Sequence, residues 1–209
     1  PLDPTRGLRL AVAASPARVL EGEGSGFVRG RIAASGYWKP PVEAWQGQGG
    51  LPSAAVPDTA EEGGDALALS QTVVAARLAL GAIAGAGVDE VPPDWRFYAG
   101  GGGSVRGFPF QSIGPRTASN RPAGGDGLLE ASIEVRQRFG PHWGAVAFID
   151  AGAVAEEGIP GIADLSVGAG LGLRYHTPIG PVRVDVATPL TASSGDSPVQ
   201  IYIAIGQAF

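Results

Sequence analysis

Cysteine and methionine are both missing from the 209 residues. Without cysteine the chain cannot form disulfide bonds or thiolate metal sites. Without methionine the chain has no start codon of its own, so we expect it to be a processed or cut piece of a longer protein. No run of eighteen apolar residues occurs, and a transmembrane helix is therefore not expected.

Charged residues are scarce as well, at 17% of the chain, and the net charge is −5. This balance lacks the basic surface by which proteins bind nucleic acid, so no nucleic-acid partner is expected. The hydrophobic fraction of 44% disfavours general disorder. Glycine, in contrast, is abundant, at 34 residues, which is well above the usual share of about 7%.

Apolar residues alternate with small or polar ones in eight stretches, which is the periodicity of β-strands. The stretches are about 8–14 residues long, and a tilted strand needs roughly 9–11 residues to cross a bilayer. Aromatic residues stand at the strand ends, where barrel girdles lie: Tyr37, Trp38, Trp143, Tyr175 and Phe209. The pattern predicts an all-β, transmembrane antiparallel barrel. A soluble β-sandwich, whose apolar face turns inward, is the alternative.

The connections between these stretches alternate between short turns and long loops, as in outer-membrane barrels with long extracellular loops. Short turns follow 139 and 176, whereas 97–126, 155–164 and 188–198 are long. The last stretch is expected to run as a strand from 199 to 209. Residues 39–70 fall on the side of the short turns, so we expect a disordered or inserted connection there.

The loop over 97–126 holds four consecutive glycines, Gly100 to Gly103, and then Arg106. Glycine reaches backbone conformations at positive φ easily, so we interpret the run as a flexible arm that carries the arginine inward. A desolvated charge without a partner costs several kcal/mol, on the order of a broken buried ion pair. Strand parity turns Asp150 and Glu134 inward on adjacent strands, and we expect Arg106 to pair with Asp150 first and Glu134 second. A solvated loop arginine is the alternative.

Three short motifs of this loop resemble the signature of the outer-membrane assembly factor superfamily, the bacterial surface antigen family that includes BamA, TamA and the two-partner secretion transporters. They read Phe-Tyr-Ala-Gly-Gly at 97–101, Ser-Val-Arg-Gly-Phe at 104–108 and Ile-Gly-Pro at 113–115. A further family motif, F-x-D-x-G, occurs at 148–152. The segments 175–181 and 201–209 look most like TamA.

The resemblance implies a sixteen-stranded barrel, of which residues 1–209 are the C-terminal part, with 97–126 as an extracellular loop folded into the lumen. The first eight strands and the periplasmic POTRA domains have no counterpart in these residues. The resemblance and the parity argument together define three groups of site residues. They are the lid-loop motif Val105, Arg106, Gly107 and Phe108; the wall partners Asp150, Glu134, Phe148 and Gly152; and the C-terminal signal or seam residues Tyr202, Gly206 and Phe209.

The same resemblance implies insertion and folding of outer-membrane proteins, autotransporters in particular, through a lateral seam of a barrel in the Gram-negative outer membrane. The implied partners are the lipid bilayer, unfolded outer-membrane protein clients and a periplasm-spanning inner-membrane partner similar to TamB. The residues suggest no catalytic set, metal site or cofactor, and we expect no enzyme. The alternatives are a two-partner-type secretion pore, a passive porin, or a barrel that tethers a fused enzyme such as a patatin-like phospholipase.

Overall fold

Eight strands form one antiparallel sheet in chain order, and each pairs with its sequence neighbour. The structure, a computed structural model, describes residues 3–20, 26–40, 71–191 and 197–209. The strands are β1 (Gly7–Arg18), β2 (Gly26–Trp38), β3 (Gln71–Ala84), β4 (Gly127–Phe139), β5 (Trp143–Ala155), β6 (Ser166–Thr177), β7 (Gly180–Pro189) and β8 (Gln200–Ile205). The expected all-β antiparallel architecture is confirmed.

Within the described ranges, helix is limited to the single turns Pro93–Trp95 and Ile162–Asp164. No helix among these residues has the length and apolar character needed to cross a membrane. The connection expected at 39–70 lies outside the described residues beyond position 40.

The two faces of the sheet differ in chemistry because successive side chains of a strand point to opposite sides. The outer face is aliphatic and exposed; Ile149 is 55% exposed and Ile203 is 74% exposed. A contiguous apolar surface of this kind is an aggregation hazard in water and suits contact with lipid. The inner face carries charged residues and glycines, and most of those on β4–β7 are buried.

The long connection from β3 to β4, residues 85–126, packs on the inner face and supplies the core of the molecule. We call residues 97–113 of it the lid. Isolated β-bridges join Phe97 to Gly125 and Ala99 to Ile113, which closes the lid at its base. One buried hydrophobic cluster contains lid and wall residues together: Phe97, Ala99, Val105, Phe108, Ile113, Leu128 and Val154.

The last strand is shorter than the sequence predicts, because β8 ends at Ile205 instead of continuing to Phe209. Gly206 has a φ of +94°, which breaks the extended conformation, and its amide donates to the Pro181 carbonyl at 2.7 Å. The final residues turn inward, and the Phe209 ring lies 6.4 Å from the ring of Tyr37. Phe209 therefore does not lie in an outer aromatic girdle.

An arginine in the middle of the outer face tests whether this face meets lipid. Ile149→Arg is expected to destabilise the intact protein in a bilayer by about 2–4 kcal/mol, because a charge at the bilayer midplane is poorly solvated. Urea-dependent folding into phosphatidylcholine vesicles measures the change. The control is Ile179→Arg, in the exposed turn between β6 and β7, where little change is expected. Equal effects of the two substitutions would contradict the assignment.

Candidate functional site

The tip of the lid, residues 100–109, is a closed turn rather than a flexible arm. The Gly101 amide donates to the carbonyls of both Val105 and Phe108 at 3.1 Å, so the tip folds back on itself. Gly100 and Gly101 have φ of +106° and +100°, a conformation that side chains disfavour. The sequence predicts that the glycines make the loop flexible. In the structure they instead fix the shape of the turn.

Arg106 projects from this turn onto the inner face, where Asp150 of β5 accepts three hydrogen bonds from it. The Arg106 backbone amide is 3.0 Å from Asp150 Oδ2, Nε is 2.7 Å from Oδ2, and Nη2 is 2.9 Å from Oδ1. Such two-point pairing of guanidinium and carboxylate is both strong and directional. Ser132 of β4 also donates to Asp150 Oδ1 at 2.5 Å, which holds the carboxylate in place.

Two further carboxylates reach the same guanidinium from neighbouring strands. Nη2 lies 2.6 Å from Glu134 Oε1, without the angles of a hydrogen bond, so this contact is an ion pair. Nη1 donates to Asp185 Oδ2 of β7 at 3.3 Å. Other arginines of the wall pair with Glu134 and Asp185. Together these charged residues form the inner ion network: Arg106, Glu134, Arg136, Asp150, Arg174, Arg183 and Asp185.

Burial and charge act in opposite directions on Arg106, which is 1% exposed. Burial by itself would lower the pKa of Arg106, but the hydrogen bonds and charge of Asp150, followed by Glu134 and Asp185, raise it overall. The guanidinium carbon also lies 3.4 Å from the centre of the Phe148 ring, a cation–π contact on its open side. Arg106 is therefore held as a permanent cation.

Glycines of the wall provide the space into which the lid packs. A Cβ at Gly168 of β6 would lie 2.0 Å from the Arg106 carbonyl oxygen, and one at Gly152 would lie 2.6 Å from Val105 Cγ2. On β3, a Cβ at Gly81 would lie 2.6 Å from the Phe97 ring. At these positions the lid fills the space that the missing side chains leave.

A second carboxylate of β4 holds the glycine-rich side of the tip. Glu130 accepts a hydrogen bond from the Ser104 hydroxyl, and it pairs with Arg77 at 2.9 Å and with Arg31 at 3.1 Å. The Ser104 oxygen in turn accepts from the Gly100 amide at 3.0 Å. The lid is thus bound to β2 and β3 through Glu130 and to β5 and β7 through Arg106.

The last strand also reaches the lid, through the Tyr202 hydroxyl. The Gly107 amide donates to this oxygen at 3.0 Å, and the hydroxyl donates to the Phe108 carbonyl at 2.7 Å. Gly206 and Phe209 lie at the other end of the strand, where the Arg136 guanidinium is 5.2 Å from the Phe209 ring centre. The structure therefore brings Tyr202 together with the lid, whereas Phe209 contacts the inner ion network through Arg136, which also donates to its carbonyl at 3.3 Å.

Several residues of the site were not predicted from the sequence, among them Ser132, Arg174, Arg183 and Asp185. The contacts of Ser104 with Glu130 and of Tyr202 with the lid were not predicted either. A signal for Asp185 was present, because it alternates with Val182, Val184 and Val186 and so shares the inner face with Arg183. The alternation gives the face of each side chain, but not which strands the tip of a long loop will touch.

Comparison with known proteins identifies the family. The description "Omp85 superfamily domain" fits residues 1–209, the whole chain. The chain belongs to the Omp85 superfamily. The resemblance found in the loop motifs is therefore confirmed at the level of the superfamily, and the chain is an outer-membrane protein of Gram-negative type. Its affinity to TamA within the superfamily stays a prediction.

Two proteins named BamA are similar to this chain, one in sequence and one in fold. The outer membrane protein assembly factor BamA of Nitratidesulfovibrio vulgaris is 33% identical over 115 residues, which is 53% of this chain and 14% of that protein. The crystal structure of BamA from Haemophilus ducreyi lacking POTRA domains 1–3 superposes with a TM-score of 0.63 at 21% identity, over 95% of this chain and 38% of that one. That likeness shows a shared fold, and this Omp85 chain spans only a minor part of either relative.

Loss of the Asp150 charge should release the lid. Asp150→Asn removes the carboxylate that accepts three hydrogen bonds from Arg106 and leaves only Glu134 and Asp185 beside a buried cation; breaking such a buried pair costs about 3–5 kcal/mol. We expect faster cleavage within residues 97–113 when the membrane-embedded protein is treated with trypsin or thermolysin. Glu157→Gln, an exposed carboxylate between β5 and β6, is the control and should keep its protection. Unchanged protection in Asp150→Asn would rule out the ion pair as the main anchor.

A methyl group at Gly168 tests the packing of the tip without changing any charge. Gly168→Ala should displace Arg106, since the new Cβ would lie 2.0 Å from a backbone oxygen. The readout is again protease cleavage of the lid. Gly103→Ala on the lid meets open space and should cleave as slowly as the unchanged protein. Slow cleavage of both variants would contradict the packing argument.

Proposed function

We propose that this Omp85 chain is part of an outer-membrane protein insertion and assembly factor, which folds client β-barrels through a lateral seam beside β8. The observation that carries the proposal is the placement of β8. Its six residues pair with β7, and β8 is the last strand of the sheet, so in the expected sixteen-stranded barrel its other edge lies where the barrel closes on its first strand. An unpaired strand edge offers backbone donors and acceptors to another strand.

The properties of β8 suit a seam that opens. β8 is six residues long, against ten in β7 and twelve or more in the other strands, so fewer ladder hydrogen bonds hold it. Gly206 ends the strand and limits pairing on that side. A short strand also spans less of the bilayer, and a thinned bilayer beside it would lower the barrier to insertion of a client.

The lid supports an assembly factor over a passive pore. A lid anchored by a buried ion network fills the inner face of β4–β7 and leaves little room there for free diffusion. The proposal is further strengthened by the family, since both relatives named above are called BamA.

The more specific proposal is a translocation and assembly module of TamA type, which acts on autotransporters and works with a TamB-like inner-membrane partner. It rests on the TamA-like segments 175–181 and 201–209. In this proposal Gly206 and Phe209 belong to the C-terminal signal, and Arg106 with Asp150 and Glu134 keeps the lid seated.

Site-specific cross-linking tests the seam. A photoreactive residue replaces Ile203 on the outer side of β8, and the intact protein is reconstituted in vesicles with an unfolded client barrel. We expect cross-links to the terminal strand of the client, because that strand would add to the edge of β8. Ile149 on the outer face of β5, similarly exposed, is the matched control and should yield few. A client that folds without preferential cross-linking at Ile203 would contradict a seam at β8.

A further inference from the structure

Among the described residues, the hydrogen bonds between the lid and β8 are all made by the phenol hydroxyl of Tyr202. The Tyr202 hydroxyl accepts from the Gly107 amide at 3.0 Å and donates to the Phe108 carbonyl at 2.7 Å. The hydroxyl therefore acts as both an acceptor and a donor toward two adjacent residues of the lid. The other polar anchors of the tip lie on three strands of the wall: Glu130 and Glu134 on β4, Asp150 on β5, and Arg183 and Asp185 on β7.

The ring of Tyr202 is held between the lid and the wall. A Cβ at Gly102 would lie 2.9 Å from the ring, so the absence of a side chain there lets the lid approach β8 closely. On the other side the ring packs against the buried cluster of Val146, Phe148 and Ala187. Phe148 also stacks on Arg106, so Tyr202 and Arg106 share a neighbour.

We infer that Tyr202 is a positioning residue that couples the seating of the lid to the pairing of β8. When β8 pairs with β7, the Tyr202 hydroxyl satisfies two backbone groups of the tip that lie at the buried Arg106. When β8 moves away, those backbone groups lose their partner, and unpaired buried polar groups are costly. The coupling also works from the lid to the strand. Release of the lid removes two hydrogen bonds that hold β8, a strand of only six residues.

This inference rests on the proposed function for its meaning, since a client that displaces β8 at the seam would then loosen the lid. The coupling itself is a property of the protein without a client. It can therefore be measured separately from client folding, and failure of one leaves the other standing.

Hydrogen exchange of the intact protein in lipid nanodiscs, followed by mass spectrometry, tests the coupling. Tyr202→Phe removes the hydroxyl and keeps the ring. We expect exchange to accelerate about five- to tenfold in both 200–205 and 100–109, as the loss of one or two hydrogen bonds implies. Tyr175→Phe removes a hydroxyl from the exposed side of β6 and should change neither segment.

A double-variant comparison separates coupling from simple loss of stability. Arg106→Lys loosens the lid and should accelerate exchange in 200–205 while Tyr202 is present, because lysine cannot reproduce the two-point pairing. In the Tyr202→Phe background the same substitution should add nothing to exchange in 200–205. The inference would be overturned if Arg106→Lys accelerated exchange in 200–205 as much in the Tyr202→Phe background as in the unchanged protein. It would also be overturned if Tyr202→Phe left the exchange of β8 unchanged.

Gly102→Ala provides a second route in case Arg106→Lys does not fold. Its methyl group would push the Tyr202 ring away from the lid with every ionisable group left in place. The expected result is accelerated exchange in both segments, as in Tyr202→Phe, whereas Gly103→Ala should leave both unchanged. Acceleration in the lid alone would mean that β8 does not depend on the contact.

Discussion

The buried charge of Arg106 is the constraint on which the rest of the site depends. A guanidinium that is almost completely shielded from water is tolerated only with close anionic partners. Three strands supply one carboxylate each, Glu134 from β4, Asp150 from β5 and Asp185 from β7. A sheet in the wrong register would turn these carboxylates to the lipid, because a shift by one residue moves every side chain to the other face. The lid can therefore bind only when the strands of the wall pair in this register, and binding of the lid in turn favours this register.

Close approach of the lid to the wall depends on residues without side chains. Gly168, Gly152 and Gly81 lie on three different strands, and each lies under a different part of the lid. Dense packing around the ion network excludes water, which strengthens the ion pairs but also makes any unpaired group costly. The high glycine content is explained in part by this requirement for space.

Two sides of the tip of the lid are bound by different strands, and this arrangement bears on how the proposed seam would open. Glu130 ties Ser104 to Arg77 and Arg31 on the side of β2 and β3. Tyr202 ties the opposite side to the weakly paired β8. Displacement of β8 would therefore remove one support of the lid, while Glu130 and the carboxylates around Arg106 keep the others. In the proposed mechanism, a lid held in this way responds to opening of the seam without being lost from the barrel.

Alternation along the chain determined the eight strands, their two faces and the inward direction of Asp150 and Glu134, because side-chain direction in a strand follows a period of two. The loop motifs determined the family. Tertiary structure alone decided that Asp185, Glu130 and Tyr202 also reach the lid, since contacts of a long loop depend on its path across several strands. It also decided the end of β8, because a positive φ at Gly206 ends the strand that the sequence predicts to continue to Phe209. Sequence pattern records local geometry, whereas these contacts arise from packing between distant segments.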